Sequence, residues 1–158
     1  MMRHLIAIGA MMLAMPLASQ TPAPPPTSYG PPIAVSDALK LVEKGMKQAE
    51  AKKLKMAFAV VEPSGELVAF ARMDDVSYAT IRIAQQKART SARFRLPTSE
   101  FEARVLGGRT VLLSSDEVIA VGGGIPIVDK GRVIGALGVS GGSAQEDAAV
   151  AAATLGER

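Results

Sequence analysis

Ile125-Pro126-Ile127-Val128-Asp129-Lys130-Gly131-Arg132-Val133-Ile134-Gly135-Ala136-Leu137-Gly138-Val139 consists of two apolar, β-branched runs with a polar turn between them. It predicts strands over 125–128 and 133–139, joined through Asp129-Lys130-Gly131-Arg132, the strongest hairpin signal in the chain. Hairpin-linked strands run antiparallel, so the fold class turns on what surrounds this pair. Upstream, Ile119 to Val121 leads into Gly122-Gly123-Gly124. Downstream, Gly141-Gly142 precedes Ser143-Ala144-Gln145-Glu146, a capping box that opens an alanine-rich final helix.

Working outward, residues 56–61 and 66–72 form a second pair of apolar runs around the turn chemistry of Pro63-Ser64-Gly65. Val35, Ala38, Leu39, Val42, Met46 and Ala49 make one apolar stripe of a helix over 37–53, with Ser36 or Asp37 as cap and Lys52, Lys53 and Lys55 near its end. A second helix is expected over 78–93, with Ile81, Ala84, Ala88 and Ala92 as its buried face. Arg82, Arg89 and Arg93 follow a different face, and Lys87 flanks the buried one. Pro97 ends this helix, Thr98 caps a short one that stops near Gly107-Gly108, and Val111 to Leu113 reads as a brief strand. The order predicts an α+β domain, an antiparallel sheet with helices packed on it.

The chain starts with basic Met1-Met2-Arg3-His4 and an uncharged apolar run from Leu5 to Ala18. That is the pattern of a secretory signal peptide, with about 14 apolar residues where a membrane span needs roughly 20. Cleavage is expected near Ala18 and Ser19. The resulting division is signal peptide 1–19, proline-rich spacer 20–32 and domain 33–158, with the protein periplasmic or secreted. Six prolines between Thr21 and Pro32 favour extended, solvated backbone over a helix or a central strand. No lipid anchor and no membrane span are expected in the mature chain.

Cleavage also removes His4, the single histidine, and five of the eight methionines; cysteine is absent throughout. The mature domain therefore excludes Ser-His-Asp and Cys-His nucleophilic machinery and the usual zinc sites, and no metal site is expected. It is held by packing without disulfides. Formal charge is +3, and loss of Arg3 leaves 17 basic against 15 acidic side chains, too small an excess for a nucleic-acid partner.

Several stretches carry candidate chemistry. Gly122-Gly123-Gly124-Ile125-Pro126 offers backbone N–H groups to a ligand, or serves as a hinge between strands. Gly141-Gly142-Ser143, ahead of a helix, forms an anion-binding loop or a structural turn. Arg72-Met73-Asp74-Asp75 gathers a cation, a thioether and two carboxylates at a strand end. Lys87, at a buried margin, has a lowered pKa, binds an anion, or else snorkels to water. Arg93, Arg95, Pro97, Thr98 and Phe101 combine cationic, hydroxyl and aromatic groups suited to an anionic, partly apolar ligand.

Six pieces in order then resemble the GlcG-like haem-binding family, also called the haem-degrading domain family, over about residues 33–153. They are Val60-Val61-Glu62-Pro63-Ser64-Gly65-Glu66-Leu67-Val68, Arg72-Met73-Asp74, Ala84-Gln85-Gln86-Lys87-Ala88-Arg89-Thr90-Ser91-Ala92 with Pro97-Thr98, Gly122-Gly123-Gly124-Ile125-Pro126-Ile127, Ile134-Gly135-Ala136-Leu137-Gly138-Val139-Ser140-Gly141-Gly142, and Gln145-Glu146-Asp147. The resemblance implies a profilin-like sheet of about five antiparallel strands, homo-oligomers, and haem or a related tetrapyrrole as ligand, in storage, iron sensing or redox protection. It implies Arg72, Met73, Lys87, Arg93, Pro97 and Thr98 as pocket residues. The departure is the missing histidine, since haem iron is commonly held by His, Cys, Met or Tyr.

The leading expectation is thus an exported small binding protein for haem or a similar flat anionic ligand, with no catalytic residues assigned. One alternative is an enzyme acting on a small carboxylate or hydroxy-acid through Lys87 or the Asp74 and Asp75 pair. The other is an oligomeric interaction module whose glycine loops and arginine face serve subunit contacts.

Overall fold

The computed structural model describes residues 28–156. The expected signal peptide, and the spacer up to residue 27, lie outside the described residues. The two hairpins form where the sequence puts them. β4 (Gly124–Asp129) and β5 (Arg132–Ser140) pair antiparallel, with Asp129 opposite Arg132. Lys130 and Gly131 at the tip have φ of 47° and 74°. Two successive positive φ values match the right-handed twist of the strands they join. β2 (Ala57–Val61) and β3 (Leu67–Arg72) form the second hairpin, and β2 pairs antiparallel with β5.

The sheet therefore runs β4-β5-β2-β3. A fifth strand, β1 (Ser28–Tyr29), pairs with Arg132 and Val133 of β5 in parallel, beyond the end of β2. The sheet is thus not wholly antiparallel, and the last residues of the expected spacer lie along it. Proline cannot donate to a ladder, but two residues between the prolines suffice for an edge pairing. The Tyr29 hydroxyl donates to the Arg93 carbonyl at 2.6 Å and helps hold the segment.

Among the described residues there are four α-helices. α1 (Val35–Ala51) and α4 (Ala144–Leu155) pack together on one face of the sheet; α2 (Ala79–Phe94) covers the other. α3 (Thr98–Leu106) packs beside α2 and β4. β2 is buried at all five positions because it is central in the sheet and covered on both sides. Its alternation sorts the core. Phe58 and Val60 join Val42, Leu137, Val139 and Val150 under α1 and α4; Ala57, Ala59 and Val61 join Ala84, Ala88, Ala92 and Ala136 under α2.

Three local expectations differ. α1 starts two residues early, at Val35, behind Ala34 with no side-chain cap, and ends at Ala51, so Lys52, Lys53 and Lys55 lie past its end. Val111 to Leu113 lies in a 3-10 turn, Thr110–Ser114, which packs against α3 rather than joining the sheet. Thr98 is the first residue of α3 rather than its cap, and its hydroxyl is used elsewhere. The capping box at Ser143 and Glu146 forms as read.

Candidate functional site

Lys87 is the most informative of the sequence candidates, and it is 1% exposed. Its ammonium donates to Asp147 Oδ2 at 2.6 Å and to the Val139 carbonyl at 3.2 Å. Asp147 Oδ1 accepts the Gly142 N–H at 2.9 Å. One ion pair thus ties α2, β5 and α4 together. A side chain at Gly123 would start 3.0 Å from the Lys87 ammonium and 2.8 Å from Asp147 Cβ, and Gly123 itself has φ +120°. Glycine is required there on both counts. Burial pushes the Asp147 carboxyl up; the Lys87 ammonium and the Gly142 N–H oppose that. Lys87 does not snorkel to water: its ammonium is buried and paired in the interior.

The other candidates fall into three separate places. Arg72 and Met73 sit at one end of the β2–β3 hairpin. Arg72 donates to the Val76 carbonyl at 2.9 Å and lies 4.9 Å over the Tyr78 ring. The Met73 sulfur accepts the Met56 N–H. Asp75 pairs with Lys55 at 2.6 Å. Arg93 lies at the opposite end, where its guanidinium donates to the Ser64 carbonyl and Glu117, both at 2.6 Å. Arg93 holds the Glu117 carboxyl below the usual carboxylate range. Arg95 lies 5.2 Å over Tyr29. Thr98 and Phe101 are buried. Thr98 Oγ1 accepts the Gly124 N–H at 2.9 Å, and Phe101 meets Phe94 edge-on at 5.2 Å. Pro97 only precedes α3.

The glycine loops are likewise engaged from within. Gly122 donates to Glu102 at 2.9 Å, and the Gly123 carbonyl accepts from Val139 at 2.9 Å, so this run is tied to α3 and β5 as it enters β4. In the expected anion loop Gly141-Gly142-Ser143, Gly142 N–H is taken by Asp147 and Ser143 N–H by Glu146 at 2.8 Å. The chain's own carboxylates occupy the place of an external anion.

An apolar groove lies elsewhere. β4 forms its floor through Ile125, Ile127 and Val128, and the end of α4 its wall through Ala152, Ala153 and Leu155; its volume is about 680 Å³. A second groove of about 610 Å³ shares Ile127 and is bordered by α1 through Asp37, Lys40 and Lys44. Lys40 pairs with Asp37 at 3.0 Å, whereas Lys44 has no ion-pair partner among the described residues. The Lys44 ammonium lies 3.9 Å from where a side chain on Gly156 would start, at the end of the apolar groove. Of these residues only Ile125 falls within a sequence candidate, the stretch from Gly122 to Pro126. The available signal was the apolar edge strand Ile125-Pro126-Ile127-Val128 together with lysines four apart on α1.

Residues 33–156 match the family described as haem degrading protein HbpS-like. Protein GlcG of Escherichia coli K12 is 37% identical over 103 residues, spanning 65% of this chain and 77% of its own length. The crystal structure of Klebsiella pneumoniae protein ORFY has a TM-score of 0.75 at 26% identity, over 90% of this chain and 95% of that one. A PduOC–haem complex shares the fold at a TM-score of 0.72 and 24% identity, over 78% and 93%.

Proposed function

Because the chain belongs to the HbpS-like haem-degrading protein family, we propose that it binds haem or a related tetrapyrrole in the groove between β4 and α4. The observation that carries this is an apolar slot of about 680 Å³ with an unpaired ammonium, Lys44, at its end. Small-molecule pockets span roughly 300–1,000 Å³ and are mostly apolar with a few placed polar groups. A porphyrin is a flat apolar ring carrying carboxylates at one edge. Ile125, Ile127 and Leu155 would cover the ring and exclude water, and Lys44 would meet a propionate.

The donor set fits the ring better than the metal. Bound haem supplies redox and axial-ligand chemistry at its iron. The residues lining the groove include no imidazole, thiolate, phenol or thioether. Grip then comes from burial of the ring and from the carboxylates, and no step at the iron is assigned to these side chains. Lys87 and the Asp74 and Asp75 pair give no support to the enzyme alternative, since Lys87 and Asp75 are already committed to ion pairs. Export through residues 1–19 and assembly into homo-oligomers belong to the same reading.

Titration with haemin tests it. A saturable Soret shift is expected, weakened at least about tenfold by Ala152→Glu, which places a carboxylate in the groove at an exposed position. Iron-free protoporphyrin IX should bind within about threefold of haemin. No saturable change, or binding indifferent to Ala152→Glu, would overturn the assignment.

A further inference from the structure

The α2 face holds a second, polar pocket that the tetrapyrrole reading does not use. On α2, Arg82, Gln85, Gln86 and Arg89 fall at spacings of three, four and seven, and therefore share one side of the helix. They form one wall of a pocket of about 250 Å³; Gly65, Glu66 and Leu67 of the β2–β3 hairpin form the other, over Val61. Gly65 makes the close approach possible. It has φ +91°, and a side chain there would start 2.8 Å from Arg89 Cγ and 2.9 Å from Arg93 Nε.

The donors in this pocket are underused. Arg82 makes no ion pair or hydrogen bond among the described residues, and neither do the side-chain amides of Gln85 and Gln86. Arg89 has one loose contact, to Glu117 at 3.7 Å. Arg93, in contrast, is taken up by Ser64 and Glu117. The pocket's single acid, Glu66, leans toward Arg93 at 3.7 Å. Positive charge and N–H donors thus exceed what the chain itself can satisfy.

We propose that this pocket is a binding site for a small dicarboxylate. Arg82 and Arg89 are two helical turns apart, about 10.5 Å along the axis. That separation suits two guanidinium forks holding opposite ends of one short molecule, each able to grip a carboxylate bidentately. A space of about 250 Å³ leaves room for a molecule as small as a four-carbon dicarboxylate. Gln85 and Gln86 donate between the two ends, and Leu67, about half exposed, covers the methylenes. The pocket lies on the opposite face of the sheet from the apolar groove, so its occupancy is independent of tetrapyrrole binding.

Succinate is the probe. Titration of ¹⁵N-labelled protein should give saturable shifts at the Gly65, Gln85 and Gln86 amides, with acetate at least about tenfold weaker because it engages one fork. Arg82→Gln should weaken succinate at least about tenfold while the remaining spectrum, and the haemin titration, stay unchanged. Arg82→Lys should restore only part of the affinity, since an ammonium does not reproduce the planar fork. Absence of saturation, succinate no tighter than acetate, or affinity unchanged by Arg82→Gln would each overturn the proposal.

Discussion

The two faces of the sheet are covered with side chains of different size. Under α2, the contact is built from Ala57, Ala59, Ala84, Ala88, Ala92 and Ala136, with Gly138 facing the helix backbone. Under α1 and α4 it is built from Met56, Phe58, Val60, Leu137, Val139 and Val150. Small residues bring a helix close and leave no room for a ligand between helix and sheet. Over the larger ones two helices pack side by side, and part of β4 next to α4 stays uncovered. Among the described residues, the cavities on the close face lie at its rim, the arginine pocket among them. The open face has the apolar groove.

Lys87 is where this contrast can be broken most severely. Its pairing with Asp147 crosses from α2 to α4, and both side chains are buried. Lys87→Met leaves an unpaired carboxylate in the interior and should lower unfolding free energy by about 3–5 kcal/mol. Lys87→Met with Asp147→Leu should recover most of the loss in a urea titration. If the single variant is as stable as the parent, the pair does not join the two faces. Gly138→Ala comes next. Its methyl would fall on the Ala84 carbonyl and 2.6 Å from the Ala88 nitrogen, at an expected cost of about 1–3 kcal/mol. An unchanged thermal midpoint would show that α2 can move off the sheet and that its face is not closely fixed.

The smallest expected effect concerns the rim of the α2 face. The Glu117 carboxyl is held below its ordinary value of 4.5 by its hydrogen bond to Arg93. A lowered carboxylate pKa stabilises the fold above the ordinary value and ceases to do so as pH falls through the folded one. The thermal midpoint difference between the parent and Glu117→Gln should thus be present at pH 7 and vanish at low pH. A difference that persists at low pH would assign the effect to packing.

Local chemistry made much of this fold legible. Lys130-Gly131 specified the hairpin, Ser143 and Glu146 the start of α4, and the alanine stripe of α2 its buried face. What escaped depends on residues far apart in sequence. The partner of Lys87 is 60 positions away, and Thr98 reaches a strand rather than its own helix end. Ser28 and Tyr29 pair because β5 extends past β2, which no spacing within a proline-rich segment reveals. The groove depends on the same kind of separation: it needs β4, α4 and α1 together, whereas spacing in the sequence marks contiguous stretches such as Arg93 to Phe101.

The central claim is that the open face takes the tetrapyrrole. Haemin titration of the parent, Ala152→Glu and Arg93→Ala tests it in one series. The expected result is a saturable Soret shift for the parent, a loss of at least about tenfold in affinity for Ala152→Glu, and near-parental affinity for Arg93→Ala. A titration in which Arg93→Ala abolishes the shift and Ala152→Glu leaves it intact would place the ligand on the other face and contradict the account.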